Sequence, residues 1–552
     1  MSSYTSRRFT RTLLVGLVLT VAACGVREGS VPSSDSDARR HITAFRSFDK
    51  VGDSPGSDNQ LAAMAYATDY FKSLGLETLV HVTPLVRMTP TASRVQIKSR
   101  VGPPIDVDSA SDDFIMWPGA QSVDVSLDAG VVFAGFGIVS PEYNRDDYEF
   151  IDVTGKIVVV LEGWPHSPGR DDLGVLGSTY YGTPQYKFTE AAVQGAAGIM
   201  IVNRDIEMPW SDRLTELKQS PLDIAATAKG FNDAPEADLE GWLSHGSAVR
   251  LFSLAGLEYE TEARLAAGLT FVGKELEDVR ITMSLTSERD DFEAQDVLAI
   301  LPGTSPDGEY AMLAGRWNRL VPRIWDETAT PNNIANPVSR EVTTKEALEE
   351  RRDDDGSGAA IVMEAAKRLT SERVRPRRSI VFMVATALEP GIVGLEHFVE
   401  HPPDHLPAEK MIALVFLDHG HESGTSPVIG KIGTEADTAL SQITRQAAIE
   451  QGRLLELDGR PKRHAYYSFA QTALVQDGVR TIYLTTPPKL DATARTMRYL
   501  ARRDDVVGLP PPAPSEFVAG PVRDAELLAT VISRVANATN WPPRIEPVTI
   551  VR

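Results

Sequence analysis

The chain has 552 residues, enough for two or more domains with sizeable cores. Asp and Glu number 76 against 56 Lys and Arg, and the net charge of -20 argues against a nucleic-acid partner while suiting solubility. Cys24 is the single cysteine, which excludes an internal disulfide and a thiolate zinc site, so a metal would need His, Asp or Glu.

Arg7, Arg8 and Arg11 precede a short apolar run over residues 13–23, then Cys24. A basic start, an apolar middle and small residues before a cut describe a secretory signal, and the run is too short to span a bilayer. The ending VAAC resembles a bacterial lipobox, which implies cleavage before Cys24 and lipid on its sulfur. The expectation is a signal over 1–24 and a linker over 25–40, with Ser33 to Arg39 as a polar tether. The body would then be anchored in the cell envelope, on the periplasmic or extracellular side of the cytoplasmic membrane. No later stretch is long and charge-free enough to span a membrane, and no short repeat points to a solenoid.

Residues 41 to 76 read as helical, with Ala62, Ala65, Tyr70, Phe71 and Leu74 near helical spacing and Gly75 as the stop. These belong to the first part of the main domain, 41–126. GVVFAGFGIV and GKIVVVLEG are strand-like runs bounded by turn residues, and YKFTEAAVQGAAGIMIVN gives a helix, a glycine stop and a buried strand. With EGWL and LFSLAGL they make a β-rich insert over 127–275, which resembles a protease-associated domain.

From Asp296 short apolar runs alternate with helix-like segments: DVLAILPG, YAMLAG, SIVFMVAT, MIALVFLD and VRTIYLT, with helices near 359–369, 435–451 and 523–536. This second part of the main domain, 276–545, predicts an α/β sandwich with a mainly parallel central sheet. Sites in such sheets gather at the carboxyl ends of strands. Arg316 in GRWN and Asp418 in FLDHG follow such runs, Glu389 in TALEPG follows SIVFMVAT, and Asp354 lies in RRDDDGSG. DDDGSG also reads as a solvated turn and helix cap.

In order, EYAMLAGRWNRL, RRDDDGSG, VATALEPGIVGLEHF, LVFLDHG and HAYYSFAQTALVQDGV resemble the ordered motifs of metallopeptidase family twenty-eight, the group of aminopeptidase Y and glutamate carboxypeptidase. The resemblance runs from about residue 41 to 540. It implies two zinc ions, which can share a hydroxide and polarise a scissile carbonyl. It places retained ligands at Asp354, Glu389 and Asp418. It also places Arg316 and Gln471 at the two histidine ligand positions, and Leu388 at that of the general-base glutamate. A guanidinium has no lone pair for zinc, an amide oxygen is a poor ligand, and leucine moves no proton.

Two readings stay open. In one, zinc is lost or substoichiometric, Arg316 stands in as a fixed cation, and the protein binds a peptide or protein in the old cleft. In the other it is an active exopeptidase with an atypical or single metal held by Asp418, Glu389 and either His419 or His421. Those two histidines also read as polar loop residues. His401 and His405 have i, i+4 spacing, but Pro402 and Pro403 oppose a helix between them.

Overall fold

A computed structural model describes residues 33–48, 56–100, 105–107, 112–119, 121–165, 181–205, 209–218, 222–224, 236–268, 270–318, 356–386, 393–420, 428–432, 438–457, 479–485 and 520–543. The expected signal segment and Cys24 lie outside them.

Two helices come first, α1 (Ser33–Phe48) and α2 (Asp58–Ser73). The expected tether needs correction, because Ser33 to Arg39 forms the first half of α1. Ala38, Ile42 and Phe45 recur at helical spacing and are all buried, and Asp37 pairs with Lys367 at 2.6 Å. The apolar stripe starts before the expected boundary and ties the segment to the body. The Ser57 side chain accepts the Gln60 N–H to cap α2, and Gly75 ends the run at φ +76°.

The stretch that follows is β1 (Glu77–Lys98), β2 (Ile105–Val107), β3 (Phe114–Trp117), β4 (Asp124–Phe133), the small hairpin β5 (Val139–Ser140) and β6 (Arg145–Asp146), and β7 (Ile157–Leu161). Next come α3 (Pro184–Val193), β8 (Gly198–Val202), α4 (Trp210–Leu217), β9 (Leu222–Ile224), β10 (Leu239–Leu243), α5 (His245–Leu254) and α6 (Tyr259–Ala266). The remainder alternates: β11 (Lys274–Leu301), β12 (Tyr310–Arg316), α7 (Ser357–Thr370), β13 (Ser379–Ala385), α8 (Val393–Glu400), β14 (Met411–Leu417), β15 (Val428–Ile432), α9 (Ala439–Glu450), β16 (Leu454–Leu457), β17 (Arg480–Thr485) and α10 (Gly520–Asn537).

The fold is α/β with one large, mostly parallel sheet. Its order is β16-β15-β17-β14-β12-β13-β11-β4-β7-β8-β10-β3, with β1 on β11 and both β2 and β9 on β1. β17, β14, β12 and β13 are mutually parallel, as are β4, β7, β8 and β10. Parallel neighbours need crossovers, which helices supply except between β4 and β7, where the β5–β6 hairpin lies. β11 runs antiparallel to both sets and joins them, so the expected boundary between residues 275 and 276 falls inside a strand.

The continuous apolar runs follow from burial on both faces. On one face Ala311, Leu313, Phe382, Val415 and Leu484 pack with helices α1, α2, α7, α9 and α10. On the other Tyr310, Met312, Met383, Phe416 and Tyr483 pack with α8. The alternation of odd and even positions is the pleat of the strands.

Candidate functional site

β12 and β14 lie side by side and parallel, with Gly315 opposite Leu417. That register brings Arg316 and Asp418 level where the two strands end. Arg316 Nε donates to Asp418 Oδ1, and Nη1 donates to the carbonyl of Asn318 at 2.5 Å. The pair is removed from solvent, with side chains 3% and 1% exposed. Asp418 Oδ2 lies 3.1 Å from His419 Nδ1, and Thr485 Oγ1, at the end of β17, lies 3.1 Å from the same nitrogen. Asp418 also donates its N–H to Leu484 O at 2.9 Å, which fixes β14 and β17 at this level.

The start of α7 closes over the same strand ends. A Cβ at Gly315 would meet the backbone of Gly358 at 2.6 Å, and one at Gly358 would meet the Leu417 and Asp418 carbonyls at 2.7 Å. Gly356 has φ +69°, and a side chain there would overlap Phe45. The glycines of DDDGSG therefore permit a helix to begin in contact with the sheet edge. Ser357 Oγ accepts the Gly420 N–H at 3.0 Å, which holds the turn after Asp418 to that helix. The dipole of α7 directs its positive end at the same place.

A second group lies beside it. Trp317 Nε1 donates to Thr386 Oγ1 at 3.0 Å, and Thr386 Oγ1 donates to Gln295 O at 2.8 Å. The Thr386 N–H donates to Asp296 Oδ1 at 2.7 Å, and Gln60 of α2 reaches Thr386 at 3.2 Å. Burial pushes the Asp296 carboxyl up to about 7, against the pull of the Thr386 hydrogen bond. Asp296 and Thr485 were not among the sequence candidates. The signal for Asp296 was a carboxylate placed directly before the apolar run VLAIL.

Of the sequence candidates, Arg316, Asp418 and His419 are brought together. Asp354, Leu388, Glu389, His421 and Gln471 lie outside the described residues. The zinc implied by the resemblance can be tested at the pole that is described. Asp418 has one oxygen on a guanidinium and the other against an imidazole, and the neighbouring ligand position carries a fixed positive charge. A guanidinium offers no lone pair, so Arg316 itself cannot hold zinc at that position. Among the described residues no group of three or more His, Cys, Asp or Glu is arranged to hold a metal. His401 lies beside His397, with ring centroids 4.7 Å apart.

Residues 350–517 match the sequence profile of peptidase family M28. No curated protein matches the chain in sequence. Among solved structures it is similar to an aminopeptidase from Aneurinibacillus sp. strain AM-1, at 13% identity and a TM-score of 0.47, over 92% of this chain and 96% of that one. It is similar to BSAP, a zinc aminopeptidase from Bacillus subtilis, at 13% identity and a TM-score of 0.40, over 93% and 98% of the two chains. It is also similar to a peptidase M28 precursor from Shewanella amazonensis SB2B, at 17% identity and a TM-score of 0.37, over 92% and 93%.

Proposed function

We propose that this chain, whose residues 350–517 carry the pattern of peptidase family M28, is a pseudopeptidase that binds a peptide or protein ligand in the old catalytic cleft. The observation that carries the reading is the buried Arg316–Asp418 pair. A guanidinium sits in hydrogen-bond contact with a carboxylate that the family pattern assigns to zinc. The cation balances the carboxylate without a metal and leaves it no lone pair to spare in that direction. Leucine at 388 and glutamine at 471 agree with this in sequence. A lipid anchor at Cys24 and a protease-associated insert over 127–275 complete the proposal. The protein would then work at the cell envelope. No helix among the described residues is long and apolar enough to cross a membrane.

The purified mature chain is expected to hold less than one zinc per molecule and to leave aminoacyl chromogenic substrates uncleaved, with or without added zinc or cobalt. Two firmly held metals, or turnover abolished by Asp354→Asn, would overturn the reading. A second reading is favoured by one observation, the buried His419 lying 3.1 Å from Asp418. If His419 turned its other nitrogen to a metal, a single-metal exopeptidase would result. One metal lost on His419→Ala or His421→Ala would establish that alternative.

A further inference from the structure

Helix α8 docks on the sheet through groups whose proton state decides the contact. At its first turn Gly394 packs on the buried carboxyl of Asp296, where a Cβ would overlap Oδ2. Asp296 Oδ2 makes no hydrogen bond among the described residues. One turn later His397 Nδ1 lies 3.0 Å from His81 Nε2 of β1, with ring centroids 5.0 Å apart. Both imidazoles are buried, and the Phe398 ring stands edge-on to His81. His401, just past the helix end, lies against His397 with the two rings tilted by 38°. His81 is directly opposite Asp296 in the β1–β11 register.

A nitrogen–nitrogen contact of this length requires one proton and one lone pair. Two neutral rings satisfy it, as do one neutral and one charged ring. Two imidazolium rings present N–H to N–H and place two positive charges together out of water. We infer that α8 is held on the β1–β11 ribbon by an acid-labile latch, the His81–His397 contact, which opens when both rings carry protons. The inference is independent of whether the neighbouring centre binds metal.

The ionisable groups around the latch come from each element packed on α8. β1 supplies His81 and β11 supplies Asp296. The end of α8 supplies Glu400 and His401, and the turn at Ala408–Lys410 brings solvent-exposed Glu409 and Lys410. Burial holds both latch histidines down to about 4; His401 adds to this for His81, and His81 and His401 add to it for His397. Their ordinary value is 6.5. Both values are depressed in the fold, so the contribution is whole above the ordinary value and is lost as pH falls towards 4. Asp296 acts with the opposite sign, since its raised value makes ionisation costly as pH rises towards 7. Two rings outweigh one carboxyl, so opening takes up protons and acid favours it.

Amide hydrogen exchange on the full chain tests this, with rates corrected for their intrinsic pH dependence. Between about pH 7 and pH 4.5, the peptide covering residues 393–400 is expected to lose roughly tenfold or more in protection while β12 and β14 keep theirs. His81→Phe/His397→Phe should abolish the acid loss and leave α8 protection rising as pH falls, through Asp296 alone. If that variant does not fold, His397→Gln keeps a neutral hydrogen-bonding group and should flatten the response. Loss of protection in α8 and the core together would overturn the latch, as would an acid loss that survives both variants. Zinc that protects α8 at neutral pH in the wild type alone would overturn it too, by making the pair metal ligands.

Discussion

Two buried clusters of opposite charges lie in the two halves of this molecule, and they differ in what surrounds them. In the 127–275 stretch, Arg145 pairs with Asp147 at 2.8 Å and also donates to the Ala266 and Gly268 carbonyls. Asp147 accepts the Phe136 and Ile138 N–H groups at 3.0 and 3.1 Å, and Lys187 donates to Phe136 O. Everything converges on the turn whose Gly135 and Gly137 have positive φ. GFG in the sequence is thus a turn fastened by charges. The Arg316–Asp418 pair stands instead at the carboxyl ends of parallel strands, under the start of a helix. Buried ion pairs of like composition can fasten backbone or occupy a site, and position in the sheet tells them apart.

Removing one partner from each cluster should expose the difference. Arg145→Ala and Arg316→Ala are each expected to cost about 3–5 kcal/mol, since each strands a buried carboxylate. Arg145→Ala also takes the donor from the Ala266 and Gly268 carbonyls, as Arg316→Ala does from the Asn318 carbonyl. The distinguishing measurement is the thermal midpoint with zinc. Arg316→His combined with Leu388→Glu and Gln471→His should gain stability on adding zinc, by about 2.7 kcal/mol at a hundredfold excess over Kd. Arg145→His should gain nothing. A triple variant blind to zinc, together with an Arg316→Ala that melts like wild type, would remove Arg316 from the site.

Lys187 sharpens the comparison from the structural side. Burial pushes its ammonium down to about 7, against the attraction of Asp147. Its folded value lies below its ordinary 10.5, so the unfolded chain binds more protons between the two and stability rises with pH across that window. Wild type is expected to gain roughly 2–4 kcal/mol between pH 7 and pH 10 in urea melts, and Lys187→Met should lack that rise. An equal rise in both chains would show that Lys187 keeps its ordinary value in the fold. The smallest effect belongs to Ser357→Ala, which frees the Gly420 N–H at about 1 kcal/mol and should leave the response to zinc unchanged.

The alternation of apolar runs after Asp296 was sufficient to foresee the sheet, because strands buried on both faces read as unbroken apolar runs. Arg316 and Asp418 were legible as strand-end residues for the same reason. What joins them is register, and the sequence does not encode register where both faces are apolar. The first half of α1 was missed because its first turn, SSDSD, is polar and only Ala38, Ile42 and Phe45 mark the helix's buried face. The His81–His397 contact joins residues far apart in the chain, and local spacing drew attention to His401 and His405 instead. Asp296 went unseen because a lone carboxylate ahead of a strand looks like a turn residue until burial is known.

β11 belongs to both halves at once. Residues 297–301 pair with β13, residues 280–286 pair with β4, and β1 accompanies it almost throughout. A version of this protein trimmed of residues 127–275 would not shed a self-contained module. It would strip β4 from the flank of a strand that continues beyond the cut, leaving a long row of unpaired amides and carbonyls beside β1. Such an edge recruits other chains, so trimming at the boundary suggested by composition should yield aggregates, whereas a graft that keeps β1, β4 and β11 together would stay monodisperse.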